Sequence, residues 1–368
     1  MSASDLAARI AQNIRRQGPI SVAAFMTLAL HDAQGGYYAR RDPLGRRGDF
    51  ITAPEISQIF GELIGLWYAD LWQRIGAPEP LLLAELGPGH GTLMADLLRA
   101  AETVPAFRRA LRLCLVEASP ILRAEQRERL ASAEPLFFDD IDQLPPGSLL
   151  LIANEFLDAL PIRQLVRGCS EWAERLVGLD ADGRLAFVLG PENRALTLLV
   201  PPSLRGLSTG TIVEICPAAA ALAARLGERF AHSPGAALFI DYGYFPSAPG
   251  STLSAARQHR PEHILKNIGA ADLSAHVDFA AFAEAARRTG TVVWGPVPQG
   301  RFLVSLGAEA RLAALSARAS PPQRALLESG LRRLIDPQEM GTLFKAMAVT
   351  SPGLPAPVGF AETASGST

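Results

Sequence analysis

Glu85-Leu86-Gly87-Pro88-Gly89-His90-Gly91-Thr92 is the stretch on which the reading of the fold turns. It closes an apolar run, residues 81–86, that only Glu85 interrupts, and it opens a helical stretch around residues 93–101. Glycines at alternate positions remove side chains where the backbone must bend sharply and let a ligand come close. In open α/β sheets ligands bind beyond the carboxyl ends of the strands, which is where this loop falls. A dinucleotide fingerprint would run GxGxxG; here the spacing is GxGxG, and Gly91 is followed by Thr92-Leu93. A nicotinamide cofactor is therefore disfavoured. Taken alone, the loop also reads as a structural glycine-rich turn.

Working outward, residues 111–116 and 149–153 are further apolar runs, broken only by Arg112, and residues 236–240 are a later one. Such runs are expected of strands buried on both faces of a parallel sheet. With helices between them, one following Ser119-Pro120, they predict a doubly wound α/β core over residues 81–161 and 233–310. Residues 1–80 read as a helical N-terminal region. There Thr52-Ala53-Pro54-Glu55 has the form of a capping box, and Ile56, Phe60, Leu63, Ile64, Trp67 and Leu71 recur behind it at helical spacing. Residues 162–232 read as a β-rich insertion, with a hairpin over residues 176–189 turning at Asp180-Ala181-Asp182-Gly183. Residues 292–294 and 302–306 are expected as closing strands, 311–350 as a C-terminal helical segment, and 351–368 as a mobile tail.

Lys+Arg at 35 against Asp+Glu at 37 leaves a net charge of −2, which argues against a phosphate-backbone footprint and so against nucleic acid. No apolar run reaches the roughly 18 residues of a membrane span, so no insertion is expected. Cys114, Cys169 and Cys216 form neither a CxxC pair nor a metal-ligand spacing; no metal site and a reducing compartment are expected. The N-terminus lacks the apolar core of a secretory signal. Leu6, Ile10 and Ile14 share a helical face with Arg9, Arg15 and Arg16 elsewhere, a pattern that also suits an organelle transit peptide, although Asp5 is unusual in one.

Polar residues gather at the strand ends. Glu117 ends the second strand, where an acid accepts hydrogen bonds from both ribose hydroxyls of a nucleoside; otherwise it is an ordinary exposed glutamate. Asp139 and Asp140 follow Phe137-Phe138 at the third strand end, as adenine contacts or as a solvated acidic turn. The fourth end reads Asn154-Glu155-Phe156-Leu157-Asp158-Ala159-Leu160-Pro161, where an amide and two carboxylates need partners that a cationic substrate would supply. A helix N-cap at Asn154 is the alternative. His276 and Asp278 follow a polar turn; a lone histidine there is more simply a hydrogen-bonded structural residue. Asp241 and Tyr242 end a strand on the same edge and are candidates for the acceptor pocket, while Asp49, Thr52 and Glu55 either fold over the cofactor or cap a helix.

The glycine-rich loop resembles the first motif of class I S-adenosylmethionine (SAM)-dependent methyltransferases. The chain as a whole resembles the MidA-like protein arginine methyltransferases of the mitochondrial complex I assembly type. The resemblance runs through Gly18-Pro19-Ile20, Gly35-Gly36-Tyr37-Tyr38, Gly48-Asp49-Phe50-Ile51-Thr52-Ala53-Pro54-Glu55, the glycine-rich loop, residues 154–161, Asp241-Tyr242-Gly243-Tyr244, Ala275-His276-Val277-Asp278-Phe279 and Met340-Gly341. It spans about residues 18–345, nearly the whole chain. His90 and Leu157 depart from the family pattern, where Arg and Phe are common, without touching a glycine or a carboxylate.

The resemblance implies a Rossmann-like core with SAM as cofactor, held by Glu85, Gly87, Gly89, Gly91, Glu117, Asp139, Asp140 and Asn154. It implies symmetric dimethylation of arginine in a complex I subunit, with Glu155, Asp158 and His276 as the catalytic candidates. The place of action would be the mitochondrial matrix in a eukaryote and the cytoplasm in a bacterium. A non-catalytic assembly chaperone on the same fold and a small-molecule methyltransferase are the rival readings.

Overall fold

The computed structural model describes residues 3–40 and 52–360, so Asp49 and the rest of Gly48 to Ile51 lie outside the described residues. These residues fall into two compact units, each gathered from three stretches of chain. One takes those within Ile51–Leu157, Ala223–Gly243 and Ala283–Thr368; the other takes those within Met1–Phe50, Asp158–Leu222 and Tyr244–Phe282.

The first unit is built on one sheet. Strands β1 (Leu81–Leu86), β2 (Leu111–Val116), β3 (Leu136–Phe138), β4 (Leu149–Asn154), β5 (Gly235–Tyr244), β6 (Val292–Pro298) and β7 (Phe344–Thr350) lie in the order 3-2-1-4-5-7-6. The first five run parallel, and β7 enters antiparallel between β5 and β6. A dinucleotide fold carries the order 3-2-1-4-5-6, so the inserted strand is what distinguishes this sheet. Every residue of β1 and β4 is buried, which accounts for their unalternating apolar sequences.

Two terminal elements differ from the sequence expectation. Residues 344–350, expected within a helical segment, are strand β7; of residues 302–306, expected as a closing strand, 302–305 belong to the helix Gln299–Ser305 and Leu306 is its C-cap. Both are short apolar runs whose periodicity fits a buried helix and a two-sided buried strand equally. The ladders that β5 and β6 offer on either side of β7 select the strand. The tail is also anchored as far as it is described: Phe360 is fully buried against Trp67 and Phe302, and the Trp67 indole donates to the Val358 carbonyl at 2.9 Å.

Helix α1 (Gln58–Arg74) does not start at the expected capping box. Thr52 makes no side-chain cap, Ala53–Ile56 is a single short turn, and the extended Ser57 caps α1 instead, its Oγ accepting from the Ile59 amide at 3.3 Å. The apolar stripe then packs α1 into the core of this unit, with Phe60, Leu63, Ile64, Trp67 and Leu71 all buried. Helix α2 (Thr92–Ala101) crosses it so closely that a Cβ on Gly61 would lie 2.6 Å from the Asp96 Cβ. Buried Glu62 on α1 meets Arg99 of α2 at 3.0 Å and Arg311 of the helix Ala308–Ser316 at 2.7 Å. Helix α3 (Pro120–Arg129) starts at Ser119, whose Oγ accepts from the Leu122 amide.

The second unit holds an antiparallel five-stranded sheet of Ile20–Ser21, Arg163–Arg167, Trp172–Leu179, Leu185–Glu192 and Ile212–Ile215. The expected hairpin is there, its tip closed by Asp180, whose carboxylate accepts from the amides of Asp182 and Arg184. Leu6, Ile10 and Ile14 of the first helix are buried in the core of this unit, so the amphipathic face is a packing face.

Candidate functional site at the carboxyl edge of the sheet

The glycine-rich loop leaves β1 and enters α2 through three left-handed residues, with φ of 61° at Gly87, 53° at Gly89 and 76° at Gly91. Side chains other than glycine's rarely adopt that conformation, so the alternate glycines are required by the path of the chain. Gly91 itself is the N-cap of α2 and supplies no side-chain cap. The first amides of α2 therefore stand at the positive end of the helix dipole.

The acids and amide named from sequence come together here, because β2, β1 and β4 are adjacent and end at the same level. Glu85 is 3% exposed, and its Oε2 has no hydrogen-bond partner among the described residues. Burial, and then the charge of Glu117, push its carboxyl up to about 8. Glu117 directly follows β2; its Oε1 accepts from the Ser119 amide at 2.8 Å and its Oε2 from the Gln126 amide at 3.3 Å. Burial raises its carboxyl despite those bonds. Asn154 closes β4, with a buried Oδ1 that also has no partner among the described residues and an Nδ2 donating to Glu155 Oε1 at 3.3 Å.

Glu155 occupies the left-handed region, with φ of 49°. Its amide donates to Ile240, and its Oε1 accepts from the Ala53 amide at 2.9 Å. The following turn is fastened by Asp241, 1% exposed, whose Oδ2 accepts from the amides of Phe156 and Leu157 at 3.1 and 2.9 Å. Tyr242 stacks edge-on against Phe344. Phe156 leans over the glycine loop, its ring 3.0 Å from where a Gly87 Cβ would be.

The remaining candidates are placed differently. Asp139 is exposed and paired with Arg123 at 2.6 Å, and Asp140 with Arg225 at 2.6 Å. Asp158 and His276 belong to the second unit. There the Ala275 amide donates to the Asp158 carbonyl at 2.9 Å, and the His276 amide donates to Thr252 Oγ1 at 2.9 Å, so Asp158 lies beside the His276 segment. Asp278 accepts from Ser247 and from the Ala281 amide at the start of the next helix, and burial raises its carboxyl.

Three features escaped the sequence reading. Gln126, fully buried on the otherwise polar α3, donates to Gly89 O at 2.6 Å as well as to Glu117. Its only signal was the four-residue spacing from Leu122 and to Leu130, which puts it on the inward face. Arg123 is the second: its side chain donates to the carbonyls of Glu117 and Phe138 and braces two strand ends. The third is the backbone of Ala53, whose amide reaches Glu155; in the same turn Glu55, a candidate from sequence, accepts from Thr92, which in turn accepts from Arg129.

A bare-backbone cradle, a ribose-type acid and orphaned acceptors at Glu85 and Asn154 suit a nucleoside that ends in a cationic amino-acid tail. Comparison with known proteins points to the same class of ligand. The model of a family described as S-adenosyl-L-methionine-dependent methyltransferase matches residues 63–297. The mitochondrial protein arginine methyltransferase NDUFAF7 homolog of Drosophila melanogaster is 36% identical over 94% of this chain and 84% of its own length. Human NDUFAF7 is 33% identical over 91% of this chain and 81% of its own. A protein of Burkholderia thailandensis crystallised with S-adenosylhomocysteine superposes with a TM-score of 0.84 at 29% identity, over 97% of this chain and 94% of that one. This chain thus belongs to the S-adenosylmethionine-dependent methyltransferase family that includes NDUFAF7, and S-adenosylmethionine is its cofactor.

Proposed function

We propose that the chain methylates arginine side chains of a protein substrate, ending in symmetric dimethylation, and that the substrate is a complex I subunit taken early in assembly. The name that the relatives share, protein arginine methyltransferase, supports the acceptor. Their mitochondrial designation supports the matrix as the place of action in a eukaryote, with the cytoplasm as its bacterial counterpart. The observation that carries the reading is Glu155, a carboxylate at the end of β4, one strand from the glycine cradle and held in a left-handed turn.

Bound at the cradle, SAM supplies a methyl carbon activated by a sulfonium leaving group. Gly87, Gly89 and Gly91 give it bare backbone to lie on, and Glu117 accepts from the ribose hydroxyls. Glu85 and Asn154 take the amino-acid tail, and Asp139 and Asp140 are assigned to the adenine end. Glu155, with Asp158 three residues along the chain, holds the planar guanidinium by paired hydrogen bonds and turns one nitrogen toward the methyl. A carboxylate takes the proton that the methylated nitrogen releases, the role for which the sequence alone also offers His276. Alignment of this kind contributes roughly 7–11 kcal/mol in well-oriented reactions.

The test measures methyl transfer to a substrate protein alongside S-adenosylhomocysteine affinity for Glu155→Gln and Asp158→Asn. The first substitution keeps an acceptor oxygen for the Ala53 amide while removing the charge. A kcat reduced roughly 10²–10⁴-fold with near-normal cofactor affinity is expected; full turnover in both variants overturns the assignment. Cofactor binding by the wild type with no methylated arginine in any partner, read by mass spectrometry, would favour the assembly-chaperone reading.

A further inference from the structure

Gln126 stands between Leu122 and Leu130 on the inward face of α3, and all three are buried. If that position served packing alone, a third leucine would fill it without bringing an amide into the interior. The Gln126 Nε2 instead bridges two parts of the cradle, donating to the carbonyl of Gly89 at 2.6 Å and to Glu117 Oε2 at 3.3 Å. Its own Oε1 is buried and has no hydrogen-bond partner among the described residues.

We propose that Gln126 is a positioning residue for ribose recognition, fixing the Glu117 carboxylate and the crest of the glycine loop as one preformed acceptor. The proposal rests on the assignment of Glu117 to the ribose. A carboxylate offers two acceptor positions on each oxygen. The Ser119 amide takes one on Oε1, Gln126 takes one on Oε2 and the Ala118 amide makes a further bond, which still leaves acceptor capacity for a ribose hydroxyl. A neutral amide does this without neutralising the acid, as an ammonium or guanidinium would. Because the same nitrogen also holds Gly89 O, the distance between the loop and the acid is set before any ligand arrives, and ordering that would otherwise weaken binding is already done.

The experiment is calorimetric titration of the full chain with S-adenosylhomocysteine and with its 2′-deoxy analogue. The proteins are wild type, Gln126→Leu, Gln126→Met, Glu117→Gln and the Gln126→Leu/Glu117→Gln double variant. Hydrogen bonds to a charged acceptor discriminate roughly ten- to a hundredfold, so the wild type is expected to prefer the ribose ligand by about that factor. Both Gln126 variants are expected to lose most of this preference, and in the Glu117→Gln background Gln126→Leu is expected to cause no further loss of preference. Methionine keeps the length and flexibility of glutamine, so it separates loss of the amide from loss of packing. Equal weakening of both ligands by the Gln126 variants would show a purely structural clamp and overturn the proposal. So would unchanged preference. A wild type that binds S-adenosylhomocysteine without any ribose preference would instead overturn the role of Glu117, and the proposal with it.

Discussion

At the scale of single residues, the site is governed by acids whose surroundings set their charge. Glu85 is the penultimate residue of the all-buried strand β1, and its carboxyl is pushed up to about 8 because burial, and then Glu117, disfavour the anion. In the unfolded chain it titrates near the ordinary 4.5. Between those values the folded protein holds a proton that the unfolded chain has lost, so this residue makes stability fall as pH rises, by up to about 1.4 kcal/mol per pH unit. The Glu85→Gln variant is expected to show a flatter loss of stability from pH 5 to 8 than the wild type in urea titrations. Superimposable pH profiles would mean that Glu85 is ionised in the fold. Sequence placed Glu85, Glu117, Asn154 and Glu155 at strand ends, since apolar runs followed by polar residues are visible in one dimension. It did not expose Gln126 or Ala53, whose parts depend on neighbours 37 and 102 residues away.

At the scale of elements, helices α1 and α2 hold the loop in place. Gly61 permits their close crossing, and Glu62 links them to the helix Ala308–Ser316 through Arg99 and Arg311. Burial alone would raise the Glu62 carboxyl, but the hydrogen bonds and charges of Arg311 and Arg99 outweigh it and hold it below its ordinary value. Stability from such a group is present above its unfolded pKa and is lost as pH falls through the folded one. Glu62→Gln is therefore expected to cost about 1–3 kcal/mol at neutral pH, the two arginines being partly exposed, and progressively less in acid. Equal destabilisation at pH 7 and pH 3 would contradict this. Elements were legible where period and flanking signals agreed, as in β1, α2 and the hairpin at Asp180. They were misread at residues 302–306 and 344–350, where a short apolar run carries no usable period.

At the scale of the whole molecule, each compact unit is assembled from three separated stretches, and the cofactor cradle lies wholly within the first. A ligand that binds only the folded cradle stabilises it by mass action. S-adenosylhomocysteine at a hundred times its dissociation constant is expected to add about 2.7 kcal/mol, visible as a rise in the melting temperature. Absence of a shift at that saturation would remove the cradle as the binding site. By itself the sequence determined the α/β core, the glycine cradle and the acids around it, because burial on both faces and left-handed turns leave their mark in residue type. Only the tertiary structure decided that β7 enters between β5 and β6, that Phe360 packs on Trp67 and Phe302, and that Gln126 joins loop to acid. Those outcomes rest on pairings between residues far apart in the chain, which composition and local spacing do not encode.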